Sequence, residues 1–159
     1  MENASLKAVK AARVLLKDIT PLRTDCGRFC GGACCEGDDE TGMLLFPGEE
    51  ALYGDCGFGE VLTADYTLAG RPALLFVCDG ACEREARPLS CRLFPLLPAA
   101  DPEKVRMDPR ASGLCPLYAS GIPGLAPAFV SAVKAACAVL SQDPACRAFL
   151  DAVGKSLTL

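Results

Sequence analysis

Four of the eleven cysteines in this 159-residue chain fall within the ten residues from Cys26 to Cys35, in the stretch "TDCGRFCGGACCEGDD". Between Thr20 and Glu40 the glycines and cysteines leave too few apolar side chains to pack an element, so this segment needs help from outside the ordinary hydrophobic core. Bound metal would supply it. Histidine is absent, so a protein-held metal must rely on sulfur, with oxygen as the remaining donor.

Three cysteine pairs share one spacing: Cys26 with Cys30, Cys30 with Cys34, and Cys78 with Cys82. The last two read "CGGAC" and "CDGAC", with Gly32 and Gly80 at matching places. Three intervening residues can turn two thiolates toward one ion, and glycine permits the positive φ that such tight reversals need. Zinc knuckles and iron–sulfur sites both use cysteines clustered in this way, so the spacing argues for metal without choosing between them. Cys34 and Cys35 are adjacent, and neighbouring side chains of an extended segment point in opposite directions. That favours two centres or one multinuclear centre. With Cys78, Cys82, Cys91 and Cys115, the expected ligand set is Cys26, Cys30, Cys34, Cys35, Cys78, Cys82, Cys91 and Cys115, enough for two four-sulfur sites. A zinc held by four thiolates is a net dianion, and Arg28, Arg84, Arg87 and Arg92 are placed in sequence to donate hydrogen bonds to the sulfurs.

Other uses of these residues fare less well. A secreted disulfide scaffold fits neither the odd cysteine count nor the N-terminus, where Lys7, Lys10, Arg13 and Lys17 interrupt the apolar residues that an export signal would need. A reducing cytoplasm is the expected compartment. No uncharged apolar run approaches the ~18 residues that span a bilayer. Sixteen Lys and Arg against twenty Asp and Glu advertise no nucleic-acid surface. The glycines of "GDCGFGE" miss the dinucleotide fingerprint, and Ala33 stands where a CxxxCxxC radical-enzyme signature would need cysteine. Cys137 and Cys146 lie on apolar helix faces and read as buried core thiols. Cys56 in "GDCGFGE" is open to three readings, a ninth ligand, a buried thiol or a reactive one, and the usual burial of cysteine favours a non-ligand.

The elements flank this region. Leu6, Val9, Leu16 and Ile19 predict a helix over about 3–18, stopped by Pro21, with a solvated cationic face. "GMLLFPGEEALYG" predicts a short strand ending at Pro47 and one helical turn from Glu49 to Tyr53. Two β-leaning runs, Glu60 to Leu68 and Pro72 to Cys78, predict a hairpin around Ala69, Gly70 and Arg71. Six prolines between Pro88 and Pro116 forbid long regular elements there. Phe129, Val130, Val133, Ala136, Cys137 and Leu140 share one helical face, and Asp143 caps a further helix with Pro144 at its first position, the pair spanning about 126–153. The expectation is one α+β domain over 1–159, with terminal helices around a metal-stapled, loop-rich middle over 26–116 that contains a short β-hairpin.

The cysteine pattern, together with "CDGACEREARPLSCRLFP" and the pair Cys115–Pro116, resembles the YkgJ-like CxxCxxCC cysteine-cluster family, described as a zinc- or iron-chelating domain. The likeness covers roughly Cys26 to Pro116. Arg87, Pro88, Cys91, Arg92, Phe94 and Pro95 stand where that family has an Arg-Pro pair, a Cys-Arg and an aromatic-Pro. The opening gaps are three residues here rather than two, and the Tyr-containing stretch common before the Arg-Pro pair is missing. The resemblance implies thiolate-bound metal, zinc or an iron–sulfur cluster. Metal ions, and a protein partner met by the metal-held surface, are the expected associates. Relatives labelled iron–sulfur oxidoreductases, and a similar motif in flagellin lysine methylases, carry an enzymatic alternative. No convergent acid–base pair in the sequence singles out a reaction.

Overall fold

In the computed structural model of the chain, residues 3–21, 42–78, 84–113 and 116–156 are described. Helix α1 spans Ala4–Leu15 and begins at Asn3, whose side-chain oxygen accepts the N–H of Leu6 at 2.7 Å. Such a cap satisfies one of the donors that a helix start leaves open. The regular helix ends at Leu15, short of the expected Asp18, because Leu16 leaves helical geometry. Leu6, Val9, Ala12 and Leu16 form its buried stripe.

That stripe packs chiefly against the helix Pro127–Leu140, which buries Phe129, Ala132, Val133, Ala136, Cys137 and Leu140. The final helix, Pro144–Ser156, buries Cys146, Phe149, Leu150 and Val153. Asp143 starts it as expected: one carboxylate oxygen accepts the N–H of Cys146 at 3.0 Å and the Ser5 hydroxyl at 2.8 Å. Burial pushes the Asp143 carboxyl up, but those donors outweigh burial and hold it below its ordinary value. Both termini of the described chain are thereby tied to one core, and the N–H of Ala126 adds a bond to the carbonyl of Pro21 at 2.8 Å.

Between these helices lies an antiparallel sheet of β1 (Met43–Leu44), β2 (Gly59–Leu68) and β3 (Arg71–Cys78), ordered β1-β3-β2. The hairpin turn is Ala69–Gly70, both with positive φ (52° and 78°), the two-residue geometry that matches strand twist. Arg71, expected in the turn, is the first residue of β3. Gly59 lies opposite Cys78, and a side chain there would collide with the Val77 carbonyl, so glycine is what allows the strands to close at this end. β1 covers only part of β3, and its edge ends by Pro72, a residue without an N–H to offer a foreign strand.

The proline-rich stretch contains one short helix, α2 (Leu89–Leu93), and a two-residue ladder in which β4 (Leu96–Leu97) pairs with β5 (Arg106–Met107). The Phe94–Pro95 peptide is cis. The helices Pro127–Leu140 and Pro144–Ser156 are α3 and α4. Leu89, Leu93, Leu96 and Leu97 send this stretch into the same core as α1, α3 and α4, while Leu45, Tyr53 and Phe76 form a smaller cluster on the other side of the sheet. The whole is a single small α+β domain.

Candidate metal centre

Of the eight expected ligands, Cys78 and Cys91 are among the described residues. Cys26, Cys30, Cys34, Cys35, Cys82 and Cys115 lie outside them, as do Arg28 and the "CGGAC" turn. Cys78 ends β3 and Cys91 sits in the middle of α2, and both are half-buried. Cys137 and Cys146 differ sharply, at 0% exposure in the main core. Burial pushes the Cys137 thiol up, and burial together with the neighbouring Asp143 pushes Cys146 to about 12. A thiol so disfavoured as thiolate makes a poor ligand or nucleophile. Cys56 is half-buried and packs, as Cys78 does, against the cluster of Leu45, Tyr53 and Phe76.

The residues at the two ends of the 22–41 segment lie near both described candidate ligands. Pro21, the residue before it, lines a crevice together with Ile19, Thr20, Arg87, Cys91 and Arg92. Gly42, the residue after it, lies against the backbone of Phe76, two residues from Cys78. Tyr53 connects the two sides. Its ring packs against Phe76, tilted by 43° with centroids 4.8 Å apart, and its hydroxyl donates to the carbonyl of Ala86 at 2.8 Å on the approach to Cys91.

A polar network holds that approach in place. Glu49 is completely buried, and one carboxylate oxygen accepts the N–H of Leu89 at 3.0 Å while the other takes the N–H of Phe46 at 3.4 Å. Arg13 approaches the carboxylate at 3.9 Å, donates to the Tyr53 hydroxyl at 2.9 Å and donates to the carbonyl of Glu85 at 3.0 Å. Arg92 donates to the carbonyls of Arg87 and Glu85, each at 2.9 Å. Expected from sequence as a donor to sulfur, Arg92 thus spends these two N–H groups on backbone.

Desolvation dominates the electrostatics. It lifts the Glu49 carboxyl from 4.5 to about 7, against the lowering effects of the Leu89 N–H, Arg13, the Phe46 N–H and Arg92. Burial, then the charge of Glu49, pushes Tyr53 to about 12, and burial pulls Arg92 below its ordinary value. Hydrogen-bonded to one another and to backbone, Glu49, Arg13 and Tyr53 hold the chain from Glu85 to Leu89 in place.

Glu49, Arg13 and Tyr53 were not expected here. The sequence places Arg13 with the lysines of a solvated cationic face. Its position carried a signal, since it falls four residues after Val9 and three before Leu16, inside the stripe that packs. Glu49 carried none: an acid opening a one-turn helix reads as an ordinary exposed residue.

Among the described residues no group of three or more Cys, Asp or Glu is close enough to hold a metal ion, and none of their helices is long and apolar enough to cross a membrane. The chemistry of Cys78 and Cys91, two sulfur donors outside the main core, is compatible with thiolate ligation. No protein-family model, curated protein or solved structure matches the chain.

Proposed function

We propose that this chain is a cytoplasmic metal-binding protein, in which Cys26, Cys30, Cys34, Cys35, Cys78, Cys82, Cys91 and Cys115 hold zinc or an iron–sulfur cluster as thiolates. One observation carries the reading: of the residues bounding the 22–41 segment, Pro21 shares a crevice with Cys91, and Gly42 lies against Phe76 of β3, two residues before Cys78. A segment rich in cysteine and poor in apolar side chains therefore starts and finishes where other cysteines already stand. The exposure pattern supports the same division of labour. Cys78 and Cys91 lie half-buried, while Cys137 and Cys146, the thiols of the two C-terminal helices, are sealed in the core; Cys56 is half-buried like the two candidate ligands.

Bound zinc would cross-link the middle of the chain and link folding to loading, whereas an iron–sulfur cluster would add one-electron redox chemistry. The protein's own part is to present deprotonated sulfurs at fixed positions.

The test is to measure metal, inorganic sulfide and the ultraviolet–visible spectrum of protein purified without oxygen and without added metal. Roughly two zinc per chain with no sulfide would fit two tetrathiolate sites, and iron with matching sulfide and a broad visible band would fit a cluster. A metal-free protein whose stability is unchanged by chelators would overturn the proposal.

A further inference from the structure

The helix that carries Cys91 is only five residues long and cannot cap itself. Its N-cap residue is Pro88, which makes no side-chain cap hydrogen bond. The open N–H of Leu89 is taken instead by Glu49, forty residues away in sequence and fully buried. Cys91 follows two residues later. Its neighbours are also pinned to separate parts of the fold: the Ser90 hydroxyl donates to the carbonyl of Leu44, and Arg92 donates to the carbonyls of Arg87 and Glu85.

A buried carboxylate is a costly way to satisfy one or two N–H groups. Its distinctive product is rigidity at one place: the backbone on each side of Cys91 is tied down by side chains or to carbonyls outside its own helical turn. Metal sites whose ligands are held by such outer contacts bind more tightly, because less freedom is lost on loading.

We infer that Glu49 is a positioning residue for the metal centre, acting through the Leu89 N–H to hold α2 and thereby the Cys91 sulfur in place before metal arrives. The inference rests on the metal-binding reading and adds the device that orders one ligand. Arg13 and Tyr53 belong to the same device, since they grip the carbonyls of Glu85 and Ala86 just upstream.

The experiment compares zinc affinity, by competition with a chelator, and the visible spectrum of the cobalt(II)-loaded protein, for wild type, Glu49→Gln and Asp143→Asn. Asp143 is also a buried carboxylate that caps a helix, but that helix, α4, carries none of the proposed ligands. Glu49→Gln should lose about 10–100-fold in zinc affinity and change the cobalt spectrum. Asp143→Asn should lower stability while leaving both readouts at the wild-type level. Wild-type affinity and spectrum in Glu49→Gln, or an equal loss of affinity in Asp143→Asn, would overturn the inference while leaving metal binding intact. A wild-type protein that binds neither zinc nor cobalt would overturn the metal reading and this inference with it. Should Glu49→Gln fail to fold, Tyr53→Phe decides, because it removes the hydroxyl that holds Ala86 and accepts from Arg13 beside Glu49: weakened zinc binding supports the device and unchanged binding refutes it.

Discussion

Glu49 makes the stability of this fold depend on pH in the direction opposite to that of a salt-bridged surface carboxylate. Its side chain is wholly buried and its pKa stands at about 7 rather than 4.5. A carboxyl whose pKa rises on folding takes up a proton as the chain folds. Its contribution is therefore complete below the unfolded value and is lost as pH climbs through the folded one. The window runs from 4.5 to about 7. At roughly 1.4 kcal/mol per pH unit the ceiling is about 3 kcal/mol, with no reduction for solvent because the group is sealed from it. The assay is urea unfolding followed by far-ultraviolet circular dichroism for wild type and Glu49→Gln, from about pH 5 to about pH 8. Taking the difference between the two proteins removes the pH dependence they share, including that of the thiols. Glutamine keeps one acceptor oxygen but turns an amide NH2 toward a backbone N–H, an offset of about 1–3 kcal/mol at every pH. The slope, not the offset, is the prediction: the wild-type margin should shrink by about 2–3 kcal/mol across the range. A flat margin would refute the reasoning. One that widens with pH would show that Arg13 and the two N–H groups outweigh desolvation.

Ala69 holds a left-handed conformation in the hairpin turn, so Ala69→Asn should raise unfolding stability by about 1 kcal/mol in the same denaturation assay. Asp143→Ala removes the acceptor for the Cys146 N–H and the Ser5 hydroxyl and should cost about 1–2 kcal/mol near neutral pH. Because its pKa is held below 3.8, the charge-dependent part of that loss is present above 3.8 and disappears as the medium becomes more acidic than the folded value, which a pH series of thermal melts would follow. Brief native alkylation with iodoacetamide, read by peptide mass spectrometry, should modify Cys56 before Cys137 or Cys146; early labelling of either core thiol would contradict the burial that defines them.

Most of the fold was legible because its signals are local. Leu6, Val9 and Leu16 recur at helical spacing and are the residues that pack, and Asp143 before Pro144 marks the start of α4 as expected. The hairpin was visible as two β-leaning runs around a short turn, although the strand began at Arg71 rather than Pro72. The paired leucines of β4 gave no comparable sign, since their ladder depends on Arg106 and Met107 returning from beyond several prolines.

Cysteine spacing, the absence of histidine and the burial pattern of the terminal helices are all present in the chain before it folds, because each depends on residue type and separation alone. They carry the candidate ligand set and the α+β class. Tertiary structure decided which residues stand around the two described candidate ligands, Cys78 and Cys91. It brought the flanks of the 22–41 segment beside Cys91 and the Cys78 end of β3, and it placed Arg13, Glu49 and Tyr53 around the segment from Glu85 to Leu89. No short stretch of sequence specifies those contacts. A hydrogen bond between Glu49 and Leu89 exists only because the packing of the helices and the sheet delivers a carboxylate to a helix start whose own proline cannot cap it.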